Sequence, residues 1–210
     1  DVCLIKENFA GYAGGGIADL SDVSTTFLNQ IQLVLNQTDT LNYAKGGGLF
    51  CSGNNNIKIE NSFISYNESH GNGGGIWNAA DTIHLETVGI GYNKADPSLM
   101  KSKGGGGVYN SNGNFILEKS TLFFNVASSS GAGIFNASAG AATIIRSTVS
   151  TNHATDYGGG IFNQGTCNII ASTIAKNFSY RAGGLYQSAT DSVLTSVRSS
   201  IVTENMTYFE

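Results

Sequence analysis

Short bursts of alternating apolar and polar residues recur along this chain, and a series of asparagines brings them into register: Asn8, Asn36, Asn67, Asn93, Asn125, Asn152, Asn177 and Asn205. Three residues before each stands an aliphatic side chain: Ile5, Leu33, Ile64, Ile90, Leu122, Val149, Ile174 and Val202. Eight before, from the third asparagine onward, stand Ile59, Leu85, Leu117, Ile144, Ile169 and Val197; ten before stand Ile57, Ile83, Phe115, Ala142, Cys167 and Thr195. These two columns share a face while the residue between them is mostly polar, which is the period of a β-strand.

A second signature locks the repeat. A Gly-rich tract followed by an aliphatic residue recurs at Ile17, Leu49, Ile76, Val108, Ile134, Ile161 and Leu185, with spacings of 32, 27, 32, 26, 27 and 24. One short strand cannot bury its apolar face alone, so each repeat must lie on the next. The expected fold is all-β, a right-handed single-stranded parallel β-helix, or solenoid, of about seven coils, roughly 34 Å long at strand spacing. Residues 1–210 form one domain. The asparagines then make a ladder, with identical amides bonding up and down the stack. A second asparagine column holds Asn78, Asn110, Asn136 and Asn163.

Composition agrees. The chain has 28 Gly, one Pro and only 26 formally charged residues, 11 basic and 15 acidic. The net charge of −4 is dispersed, with no basic stripe for nucleic acid. No apolar run is long enough to span a membrane. Cys3, Cys51 and Cys167 are too far apart in sequence for a disulfide framework or a spaced metal site, and read as small, slowly reacting core residues. Five sequons, at Asn36, Asn67, Asn136, Asn177 and Asn205, all fall in asparagine columns, where the amide is committed to the fold.

The unit Gly74-Gly75-Ile76-Trp77-Asn78, repeated as Gly159-Gly160-Ile161-Phe162-Asn163, resembles repeats of secreted β-helix proteins. So does Ser147-Thr148-Val149-Ser150-Thr151-Asn152. The set is similar to the right-handed parallel β-helix repeat family of secreted and surface proteins, including autotransporter passenger domains of the polymorphic membrane protein type. That resemblance implies an extracellular or cell-surface location and an adhesive or structural role. The same fold also carries polysaccharide lyases, hydrolases and epimerases, so fold alone does not choose.

Outward columns hold the candidate chemistry. Glu60, Glu86 and Glu118 stand seven before the ladder asparagine in three adjacent coils, with Lys58 and His84 two residues earlier on the same face. Stacked carboxylates can raise a pKa for general-acid work or bind Ca²⁺. Arg146 is expected one coil on and on the opposite strand face, out of reach as a uronate clamp.

An aromatic column, Phe50, Trp77, Tyr109, Phe135, Phe162 and Tyr186, follows the Gly-rich aliphatics and is expected to point outward or under a covering loop. Exposed, it would bind sugar faces or another protein. Tyr66, Tyr92 and Phe124 form a second aromatic column just before the ladder. Ser120-Thr121, Ser147-Thr148 and Ser172-Thr173 form paired hydroxyls, read either as turn chemistry or as an ice-binding Thr row interrupted by Phe63 and Gly89.

The main expectation is therefore a structural or adhesive module without cofactor or metal, with a carbohydrate-active enzyme acting at the carboxylate cluster as the alternative and ice binding as a lesser one. Loops are mostly short, the longest running from Lys94 to Lys103 with Pro97, and short loops favour the structural reading. The chain opens on Val2 to Ile5 and closes just past Ile201 and Val202, the same point of the repeat. Uncapped ends and end-to-end self-association into filaments are expected, with surface glycans as further partners.

Overall fold

A computed structural model describes residues 2–22, 24–39, 44–96, 104–188 and 194–208; Pro97 and most of the expected long loop lie outside this set. The described residues form parallel strands without a helix, stacked as a β-solenoid of about seven turns. Two parallel sheets run the length of the rod, one of 16 strands and one of eight.

Register follows the sequence columns. Ile57 pairs with Ile83, Ile83 with Phe115, Phe115 with Ala142, Ala142 with Cys167 and Cys167 with Thr195. Ile59, Leu85, Leu117, Ile144 and Ile169 are fully buried in the next inward column, as are Leu33, Ile64, Ile90, Leu122, Val149 and Ile174 in the third. Together they form one continuous core. The end coils lack a neighbour on one side in this chain, so Val197 and Val202 are exposed although their columns are inward elsewhere.

The ladder asparagines tie three coils at once. Asn125 donates from both its backbone N–H and its Nδ2 to Asn152 Oδ1, at 3.0 and 2.9 Å, and Nδ2 donates again to the Ile90 carbonyl at 3.0 Å. Asn36, Asn67, Asn93, Asn152 and Asn177 repeat the scheme. The second column does likewise, with Asn78, Asn110 and Asn136 each donating to the next amide oxygen at 2.8 Å. Asn36, Asn67, Asn136 and Asn177 are thus buried and bonded, so these four sequons offer no free amide to a glycan in the folded chain.

Glycine enters the Gly-rich tract because backbones meet there. A Cβ on Gly74 would lie 2.4 Å from the Lys94 carbonyl oxygen and 2.5 Å from that of Gly106.

The cysteines divide. Cys51 and Cys167 are buried and free, and burial pushes the Cys167 thiol up to about 12 and that of Cys51 well above its ordinary value. Cys3 is exposed, against expectation, because its coil is the outermost one. Native protein is therefore expected to take up about one equivalent of a thiol reagent quickly and two more only on unfolding, since reaction needs an accessible thiolate. Three fast equivalents by mass spectrometry would contradict the packing.

Candidate functional site

Two corners shape the outer surface. At the residue six before each ladder asparagine from Asn36 onward the backbone turns through φ of 47–58°, at Gln30, Asn61, Thr87, Lys119, Arg146, Ala171 and Ser199. It turns again just before the asparagine, at Glu7, Leu35, Tyr66, Tyr92, Phe124, Thr151, Lys176 and Glu204. This left-handed region is costly for any residue with a Cβ. Neighbouring hydrogen bonds hold it: the asparagine ladder at one corner and, at the other, a serine ladder in which the backbone N–H groups of Ser120, Ser147 and Ser172 donate at 3.1 Å to the hydroxyls of Ser147, Ser172 and Ser200. Each serine hydroxyl in turn donates to the carbonyl two residues back, as Ser147 does to Ile145 at 2.7 Å.

The hydroxyl pairs are thereby resolved. Their serines are buried corner elements, and only Thr121, Thr148 and Thr173 form a half-buried row in register.

The carboxylate column is in register, Glu60 beside Glu86 and Glu86 beside Glu118. Every member has a cation. Lys58 pairs with Glu60 and lies 3.9 Å from Glu86; Lys119 reaches Glu86 at 2.7 Å; Arg146 bonds Glu118; and His84 Nε2 is 3.3 Å from Glu118. The expectation that Arg146 faces away is corrected here. Alternation does not apply at a left-handed corner, and from that corner the guanidinium swings back over the preceding coil.

The Lys119 hydrogen bond holds the Glu86 carboxyl below its ordinary pKa, and the Arg146 hydrogen bond does the same for Glu118. His84, Glu86 and Glu118 bring donor atoms within 4.8 Å of one another, a geometry a metal could use, yet both carboxylates already serve lysine or arginine. The adjoining depression, lined by Glu60, Asn61, Glu86 and Thr87, has about 150 Å³. A ligand cleft is usually at least about 300 Å³.

The first aromatic column is placed under cover. Phe50, Trp77, Tyr109, Phe135 and Phe162 are buried and Tyr186 half-buried, stacked ring on ring at centroid distances of 4.8, 6.4, 5.0, 4.7 and 5.4 Å. Ala13, Ala79 and Tyr157 pack against the stack, and Lys45 Nζ lies 4.6 Å over the Trp77 ring. As an exposed binding row this column is corrected: its ring faces meet each other and its flanks are closed, which makes it a second core.

The second aromatic column is the exposed one. Tyr66, Tyr92 and Phe124 are 52, 42 and 46% exposed and stack at 4.8 and 5.1 Å with interplanar angles of 2° and 11°. Leu35 precedes them in the same rank, and Phe63 and Phe123 flank it. The flanking rings fill space that two glycines leave open. A Cβ on Gly89 would lie 2.7 Å from the Phe63 ring, and one on Gly91 2.5 Å from that of Phe123. Alternation alone misses this platform, since corner residues belong to neither strand face; the cue was Tyr, Tyr and Phe recurring immediately before Asn.

No family model, curated protein or solved structure matches the chain.

Proposed function

We propose that this chain is a structural and adhesive β-helix module acting outside the cell or at its surface, and that it is not an enzyme. The observation that carries the reading is that each candidate acid already has a cation in contact, Glu60 with Lys58, Glu86 with Lys119 and Glu118 with Arg146. A glycosidase acid must keep its proton near neutral pH, which calls for a raised pKa. Glu86 and Glu118 are shifted the other way by lysine and arginine. A lyase needs free cations to neutralise a uronate, and here Lys119 and Arg146 already hold carboxylates. The surface does offer an exposed aromatic platform of Leu35, Tyr66, Tyr92 and Phe124, flanked by Phe63 and Phe123, on a rigid rod. Such a contiguous apolar patch is characteristic of contact surfaces. The repeat's resemblance to secreted β-helix proteins supports the extracellular location.

Acidic and neutral polysaccharides incubated with the chain are expected to yield no unsaturated or reducing ends above buffer. The Glu86→Gln variant should keep native circular dichroism. Turnover that disappears in Glu86→Gln while the fold persists would replace this reading with a carbohydrate-active enzyme.

A further inference from the structure

We propose that two copies of this chain pair side by side and antiparallel through the rank of residues preceding the ladder asparagines, with the two-fold axis at Tyr92. The inference rests on the contact-module reading and names its partner. The rank runs Glu7, Leu35, Tyr66, Tyr92, Phe124, Thr151, Lys176 and Glu204, one residue per coil, all at φ of 50–57°. The ladder bonds fix each coil on the next, so these side chains stand in one line at strand spacing. The middle of the line is apolar and its ends are charged.

Ring geometry narrows the occupant. Tyr66, Tyr92 and Phe124 lie face to face, so they present edges to solvent. A sugar stacks on a ring face, and both faces of the central Tyr92 are already covered by Tyr66 and Phe124; a ring edge is suited instead to packing against another aromatic surface. Two open grooves flank the ridge. One, of about 530 Å³, lies between Phe63 and Phe123 over Gly89. The other, of about 490 Å³, lies between Phe124, Phe178 and Met206. A ridge beside open grooves is a shape that a second copy, carrying the same ridge and grooves, can complement.

Charge selects the register. Parallel pairing would set Glu7 on Glu7 and Lys176 on Lys176. An antiparallel axis midway between Tyr92 and Phe124 would set Leu35 against the partner's Lys176 and Glu7 against the partner's Glu204. With the axis at Tyr92, Tyr66 meets the partner's Phe124, Leu35 meets the partner's Thr151 and Glu7 meets the partner's Lys176. Glu7 and Lys176 each have an in-chain partner, Lys6 at 2.8 Å and Glu204 at 3.5 Å, but both pairs are exposed, and the contact across the axis adds a second opposite charge to each. Only this last register sets opposite charges together and keeps lysine off the apolar centre. It is isologous, so it closes at two copies.

Sedimentation of the 210-residue chain over a concentration series tests the proposal. A monomer–dimer equilibrium is expected. Tyr92→Glu, which doubles a charge on the axis, should weaken it by about a hundredfold, and Tyr92→Ser by about tenfold as a milder second variant. Lys176→Glu alone should weaken the dimer several-fold, and adding Glu7→Lys should restore it. A monomer at every concentration, an open-ended series of larger species, a dimer indifferent to both Tyr92 variants, or failure of the charge swap to restore pairing would each overturn the proposal. The parent reading fails separately: a dimer that cleaves polysaccharide keeps this interface and loses the contact-module reading, and an inert monomer does the reverse.

Discussion

Replacing Leu117 by Asp is expected to abolish the native fold. Leu117 is fully buried and sits between Leu85 and Ile144 in an unbroken aliphatic column. The variant loses the transfer and packing energy of a core leucine, roughly 2–5 kcal/mol for truncation alone. It also leaves a carboxylate with no cation in a dry interior, at several kcal/mol more. Against a typical total stability of about 5–15 kcal/mol, that sum leaves little or nothing. Circular dichroism should show loss of the β signal, or the protein should be recovered only as aggregate. A soluble variant with native spectrum and melting temperature would mean that the inward and outward faces are wrongly assigned.

Asn125→Ala should be the next most damaging change among these residues. The side chain is fully buried and bonds to the coils on both sides of its own. Its removal strands the backbone N–H and Nδ2 of Asn93, which both donate to Asn125 Oδ1 at 3.0 Å, and the Ile90 carbonyl beneath. Buried groups left unbonded cost about 1–3 kcal/mol each, so a loss on the order of 4 kcal/mol is expected. At this chain length that is a fall of about 10 °C in melting temperature. Asn114, which is exposed, provides the control, and Asn114→Ala should stay within about 0.5 kcal/mol of wild type. Equal effects of the two substitutions on thermal melts would show that the ladder contributes nothing particular to stability.

The parts of this fold that a one-dimensional pattern can hold were legible in the sequence. Leu33, Ile64, Ile90 and Leu122 announce an inward column because burial on every coil demands the same residue type. Asn67, Asn93 and Asn125 announce a ladder because only identical amides satisfy one another in a repeating stack. The corners were not legible, for a definite reason. Their left-handed backbone is usually marked by glycine or asparagine, whereas most corner positions here hold residues such as Tyr92, Phe124, Lys119 and Arg146. Without that mark, strand alternation extrapolates past the bend and puts Arg146 on the wrong side. Alternation likewise gives the direction of a side chain but not what lies over it, so the cover on the Phe50–Tyr186 column came only with the three-dimensional arrangement.

The polar columns of this rod hold its coils together. Amide hydrogen exchange tests it most directly. The backbone N–H groups of Asn67, Asn93 and Asn125 sit at corners, yet each donates at 3.0 Å to the amide oxygen of the next ladder asparagine in a buried setting. They are expected to exchange as slowly as the strand amides of Ile90 and Leu117, since both open only with the stacked core. Exchange at the pace of ordinary exposed turns, orders of magnitude faster than those strands, would contradict the ladder and the account built on it.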